Sequence, residues 1–234
     1  MLRRLLAGRV TPLNRDAIAA RFLRGEGLEI GALHNPLPVS EHARVRYVDR
    51  MQTADLRRQY PELDGKPLVD VDVVDDGERL TSVPDESVDF VIANHFLEHC
   101  QDPIGALGTM FRVVRPGGVV YLAVPDKRFT FDVDREVTTT EHLLDDHRQG
   151  PEGSKRQHFE EWARLVDKVG EAEVGAHAAK LLEDDYSIHF HVWTQADALE
   201  LLSVARRELA LDFDVEVAIR NGHENVFVLR KADG

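Results

Sequence analysis

Two groups of side chains in this 234-residue sequence have the types and spacing to do chemistry. The first is His95-Phe-Leu-Glu98-His99. On an α-helix, imidazoles at i and i+4 share a face and could chelate zinc, with Glu98 as a base. The string follows an apolar run at once, however, and Pro103 leaves it little helix, so a turn is the better expectation than a zinc hydrolase. The second group is the set of histidines at 142, 147, 158, 177, 189 and 191, accompanied by Trp162 and Trp193. A positioned imidazole or carboxylate can take a proton from a hydroxyl, which contributes roughly 10²–10⁴-fold to a rate. Asp126, His142 and His189 are the candidates for that role. His158, His191 and Trp193 are candidates for holding a polar ligand. In a strand, His189 and His191 would share a face. Taken singly, each histidine is more often a surface residue or a core hydrogen-bond partner. The pairs Asp145-Asp146 and Asp184-Asp185 could bind Mg²⁺, although such pairs more often mark exposed helix ends.

The elements that must position these residues follow from periodicity. Asn14 can cap a helix reaching Arg24, and Leu28-Glu-Ile30 begins a strand that stops at Gly31. Val45 to Asp49 alternates like a second strand, and Thr53 is placed to cap a helix from Ala54 to Tyr60. Leu68 to Val74 reads as a third strand and Val88 to Ala93 as a buried fourth. Pro103 opens a helix to Val114, ended by Pro116-Gly-Gly118, and Val119 to Val124 is a fifth strand. Alternating strands and helices imply a doubly wound α/β fold with a mainly parallel sheet. Residues 127–190 break this pattern with short helical pieces at 140–147, 158–169 and 172–184. They read as an insertion lying over the carboxyl edge of the strands, where ligands bind in such folds. Thr194 then caps a helix to about Leu209, and two alternating runs flank Asn221-Gly222, a hairpin signal.

Forty-two acidic against twenty-nine basic residues leave a net charge of −13, which disfavours a nucleic-acid footprint. No apolar run is long enough for a membrane span, and Met1-Leu-Arg-Arg-Leu-Leu-Ala is too short for a signal peptide. The single cysteine, Cys100, is compatible with a reducing cytoplasm. A homodimer is left open.

The order of these pieces carries a resemblance. Gly27-Leu-Glu29-Ile-Gly31-Ala, then Leu80-Thr-Ser-Val-Pro-Asp85-Glu-Ser-Val-Asp89, Leu97-Glu-His99, Arg115-Pro-Gly-Gly118 and Val119 to Asp126 resemble the class I S-adenosylmethionine-dependent methyltransferases of the type 11 kind. The resemblance covers about residues 25–126 and, loosely, the C-terminal quarter. It implies a seven-stranded Rossmann-like sheet in a single domain, with 127–190 as a helical substrate lid. It also implies that Glu29, Gly31, Asp49, Asp76, Gly77, Asn94 and His95 line the cofactor, with Asp49 on the ribose hydroxyls. Asp75 competes with Asp76 for the adenine position. The usual later glycines of the first turn are replaced by Leu33 and Asn35. The insertion is rich in His, Asp, Glu, Arg and Trp, side chains suited to several hydroxyls. O-methylation of a sugar, glycoside or glycosylated metabolite is therefore expected, with Mg²⁺ as a further cofactor to consider. N- or C-methylation of a polar natural product is the alternative, as is a non-catalytic cofactor-binding subunit. A nicotinamide dehydrogenase is disfavoured by the missing glycines.

Overall fold

The computed structural model describes residues 14–233; the N-terminal segment considered above as a signal peptide lies outside them. The Asn14 side chain accepts from the Ala17 N–H at 2.9 Å and caps α1 (Arg15–Phe22). The chain then runs through β1 (Gly25–Ile30), β2 (Ala43–Asp49), α2 (Thr53–Gln59), β3 (Val73–Val74), β4 (Val88–Asn94), α3 (Pro103–Val113) and β5 (Val114–Pro125). After the inserted segment come α7 (Gln195–Glu208), β6 (Phe213–Asn221) and β7 (Glu224–Lys231). The sheet order is β3-β2-β1-β4-β5-β7-β6. Strands β1 to β5 pair in parallel, while β7 is antiparallel to both β5 and β6.

The two central strands are buried on both faces, and period 2 divides their side chains between two cores. Val91, Ala93, Val120 and Leu122 pack with Leu107, Met110, Leu201 and Leu202 of the helices on one side. Phe90, Ile92, Val119 and Tyr121 pack with Ile18 and Leu23 on the other. Thr194 and Asp197 form a reciprocal capping box at the start of α7.

Several boundaries differ from the expectation, each for a local reason. The third strand is only Val73–Val74; just before it the Asp72 side chain accepts the Tyr47 N–H at 2.8 Å, a β2 donor that a strand carbonyl would otherwise take. Thr53 lies inside α2 and not before it. Its hydroxyl donates to the Val69 carbonyl and accepts from the Val71 N–H, tying down the loop that leads to β3. β5 starts at Val114, and its Arg-Pro-Gly-Gly stretch is accommodated by a register shift against β4. The hairpin turn is centred on Gly222-His223, one residue later than expected, with Gly222 at φ 65°.

Residues 127–190 hold two 3-10 turns, Lys127–Phe129 and Phe131–Asp134, and the helices α4 (Thr140–Gln149), α5 (Glu152–Leu165) and α6 (Val174–Glu183). Helix α5 begins six residues before the expected His158, just after Pro151. The run 186–193 is extended but belongs to no strand; an isolated bridge joins Trp193 to Asp126. The insertion has its own small core of Phe159, Trp162, Ala178, Ile188 and Phe190.

Beside that core lies Arg135, only 2% exposed. Its guanidinium donates to Asp132 (3.0 Å), Glu161 (2.8 and 3.1 Å) and the carbonyls of His189 (2.8 Å) and Phe190 (3.1 Å). Arg135→Met should therefore leave a buried carboxylate and two carbonyls short of partners. The expected loss is about 3–5 kcal/mol, read from denaturant midpoints.

Candidate functional site

The carboxyl ends of β1, β2 and β4 open into a cleft of about 290 Å³. Ile30 and Gly31, Asp49 and Arg50, Asp76 to Glu78, and His95 and Phe96 form the sheet-side wall. Facing them are Lys155 and Phe159 from α5, Leu182, Asp185 to Ser187, and Phe190. A second cavity of about 370 Å³ adjoins the first through Asp76, Glu78 and Gln101. Such a volume, spread along strand ends at the point where the order reverses between β1 and β4, suits an extended small ligand.

Gly31 sits at φ 66°, and a Cβ added there would meet nothing within 4 Å, so its backbone is open to the cleft. Leu33, which stands where a glycine is usual, keeps the left-handed conformation at φ 50°. It is retained by packing on Leu56, Leu63 and Leu68. Asp49 turns one oxygen to the Arg50 N–H at 2.7 Å, and burial raises its pKa. Arg50 reaches the Asp185 carboxylate across the cleft and the Tyr60 hydroxyl at 3.3 Å. Of the two competing aspartates, Asp76 lines the cleft. The Asp75 carboxylate is used up by the Asp76, Thr81 and Ser82 donors of its own turn. Gly77 fits only without a side chain, since a Cβ would come within 2.6 Å of Ile30 and 2.7 Å of Phe96.

Glu29 and Asn94 stand behind the wall. Glu29 is buried, accepts the Leu37 N–H at 2.9 Å and takes a 3.5 Å contact from Asn94. It therefore holds the 31–37 loop against the sheet. Burial pushes its pKa up to about 7, against the pull of the Leu37 hydrogen bond. His95 lines the cleft at φ 49° and meets Glu224 at 2.8 Å and Glu98 at 3.4 Å. Burial alone would lower its pKa, but these two carboxylates outweigh it and raise it to about 9. Leu97–His99 is a single 3-10 turn and not a helix, so His95 and His99 do not share the face that zinc chelation would need, and the two rings point to different partners.

The proposed bases are distributed unequally. Asp126 is fully buried away from the cleft, clamped by Arg128 at 2.9 and 2.7 Å; that pairing holds its carboxyl below the usual range. His189 Nδ1–H donates to Asp132 Oδ2 at 2.7 Å, and its ring stands edge-on to cleft-lining His99, 4.7 Å between centroids. His142, His158 and His191 come together in a separate cluster, with Trp193 stacked on His191 at 5.9 Å. His189 and His191 thus serve different groups, because the run that carries them is not held in a sheet. Asp184 pairs with Lys180 and Asp185 with Arg50, while Asp145 accepts from Gln149. Arg50, Glu78, His99, Lys155 and Tyr186 were not anticipated as lining. Arg50 was findable, since it follows Asp49 at the same strand end. Asp132 carried no signal, being 57 residues from His189.

A model of the methyltransferase domain family matches residues 8–228. The chain belongs to that family. A curated relative from Mycolicibacterium smegmatis, named a probable S-adenosylmethionine-dependent methyltransferase, is 33% identical over 88 residues. The match covers 38% of this chain and only 31% of the relative's length. Among solved structures, a Rhodobacter sphaeroides protein provisionally named a Zn-dependent alcohol dehydrogenase superposes with a TM-score of 0.56 at 18% identity. That alignment covers 96% of this chain and 91% of the other. A Thermotoga maritima S-adenosylmethionine-dependent methyltransferase, described as a possible histamine N-methyltransferase, gives 0.50 at 16% identity, over 93% and 88% of the two chains. At these identities the two structures speak for the seven-stranded fold alone.

The displaced Glu29 and His95 link the stability of this methyltransferase domain to pH. Glu29 binds its proton more tightly folded than unfolded, so its contribution to stability falls as pH rises from about 4.5 to 7. His95 contributes fully below 6.5 and loses that contribution as pH rises through about 9. Glu29→Gln keeps an acceptor for Leu37 and removes the first loss. The variant should match the parent near pH 4 and exceed it at pH 8 by up to about 3 kcal/mol in denaturation.

Proposed function

We propose that this domain transfers a methyl group from S-adenosylmethionine to a hydroxyl of a sugar, glycoside or similarly polar acceptor. The observation that carries the reading is the pairing of the Gly31–Asp49–Asp76 strand-end wall with a polar, aromatic wall supplied by residues 127–190. The residues present fit the cofactor. Gly31 offers open backbone, Asp49 an oxygen not used by Arg50, and Gly77 a place without a side chain. When bound, S-adenosylmethionine supplies a methyl group on a positively charged sulfur, already joined to its leaving group.

The remaining task belongs to the protein. Asp49 would accept the ribose hydroxyls with its carboxylate. Lys155, Tyr186 and Ser187 would bond the acceptor hydroxyls, with Phe159 and Phe190 against its apolar faces. As the acceptor oxygen bonds to the methyl carbon and the carbon–sulfur bond breaks, the hydroxyl proton must leave. Asp132 fixes one nitrogen of His189, and the other ring nitrogen, or His99 beside it, would take that proton. His95, held protonated by two carboxylates, would instead contribute positive charge at the end of β4. In this reading 127–190 acts as the substrate lid, with Arg50 and Asp185 closing it over the cofactor. N-methylation of a polar amine uses the same geometry and is separated from the hydroxyl reading by the acceptor.

Calorimetric titration with S-adenosylhomocysteine should show binding, and Asp49→Ala should weaken it about 10- to 100-fold. Unchanged affinity in that variant would remove Asp49 from the site. With a panel of sugar, glycoside and amine acceptors, His189→Gln should lower kcat while leaving S-adenosylhomocysteine affinity intact. Equal kcat in variant and parent would assign the proton to another group.

A further inference from the structure

His142 and Asp146 on α4, His158 on α5 and His191 on the extended return segment converge behind the cleft wall. Each offers a ligand atom, and all four atoms lie within 4.8 Å of one another. His142 Nε2 is 3.0 Å from His158 Nε2 and 3.2 Å from Asp146 Oδ2. Asp146 Oδ2 is 3.9 Å from His158 Nε2 and 4.0 Å from His191 Nε2. Ligands about 2.0–2.1 Å from a tetrahedral zinc ion are separated by roughly 3.3 Å, so the pairs now at 3.9 and 4.0 Å must close by about 0.6–0.7 Å to complete the shell.

The hydrogen bonding within the cluster is incomplete. Asp146 Oδ2 is buried and accepts no hydrogen bond, and neither does buried His191 Nδ1 find a partner. The Asp146 side chain is 6% exposed, and its other oxygen is fixed by the Ser154 hydroxyl at 2.7 Å. A buried carboxylate oxygen left without a donor is expensive, by about 1–3 kcal/mol or more. A cation bound between the four would satisfy the orphaned Asp146 oxygen, with His191 Nε2 turning to it from its 3.3 Å contact with the Gln101 carbonyl.

We propose that His142, Asp146, His158 and His191 form a structural site for a four-coordinate divalent transition metal of the zinc class. Three imidazoles and one carboxylate suit zinc better than magnesium or calcium, which take mainly oxygen ligands. With protein at all four positions the site is closed, which marks it as structural and not catalytic. The metal cross-links α4, α5 and the return segment. It thereby fixes Phe159 and Phe190, the chain neighbours of His158 and His191 that line the cleft. Two smaller groups, His95 with His223 and Glu224, and Glu98 with His99 and His189, supply only three ligands each. The site stands independently of the cofactor and acceptor assigned above.

The test uses the full chain, stripped by chelator and titrated with Zn²⁺ against a competing chromophoric chelator, then with Co²⁺. One equivalent of zinc should bind, and cobalt should give the intense visible bands of a tetrahedral site. His158→Gln and Asp146→Asn should each weaken zinc binding by at least about 10-fold. His189→Gln and His223→Gln, in the smaller groups, should keep it. Absence of stoichiometric binding, a pale six-coordinate cobalt spectrum, or undiminished binding in both ligand variants would overturn the proposal. Should the ligand variants not fold, the unaltered chain decides. A tetrahedral cobalt spectrum with a melting temperature lowered by chelation supports the site, and the lack of either refutes it.

Discussion

A single buried guanidinium organises the half of this molecule that the parallel sheet does not. Arg135 has five donors in a fixed plane, and four groups from three separate pieces of chain accept them: Asp132, Glu161 and the carbonyls of His189 and Phe190. Those carbonyls belong to an extended run with no strand neighbours, so the guanidinium does for residues 189 and 190 what a sheet ladder does elsewhere. It also neutralises Asp132, which in turn orients His189. Replacing the ion by an apolar side chain would take from Asp132 Oδ1, Glu161 and the two carbonyls the donor they share.

The sheet side rests on a different constraint. Strands buried on both faces must be apolar throughout, so polar residues collect at their carboxyl ends, where helices and loops diverge. Gly31, Asp49 and His95 sit there for that reason. The same burial changes their chemistry: Glu29 at about 7 and His95 at about 9 are both displaced from their ordinary values, in each case upward. Glu29 rises because it is shut from water. His95 rises because two carboxylates compensate for the same loss. The cleft wall therefore carries a protonated imidazole, and the carboxyl that titrates near neutrality lies behind it.

Leu33 illustrates how packing overrides local preference. Its left-handed backbone conformation is one that a branched side chain rarely adopts, costing about 1–2 kcal/mol. The side chain offsets this by joining the Leu56, Leu63 and Leu68 cluster. The departure from a glycine-rich turn thus alters the residue without altering the turn, and the strand-end opening survives.

The sequence by itself determined the α/β architecture, the order of the strands along the chain and the strand-end positions of Gly31, Asp49, Asp76, Gly77 and His95. These are legible because periodicity, glycine and proline act within a few residues. It also flagged the histidines, without sorting them. Only the tertiary structure separated Asp75, which its own turn consumes, from Asp76, which faces the cleft. Only it buried Asp126 under Arg128, sent His189 to Asp132, and gathered His142, His158 and His191 around Asp146. The partners in those last contacts lie far apart in the chain, and no local rule connects them. Their meeting depends on how helices α4 and α5 pack against a segment that has no regular structure of its own.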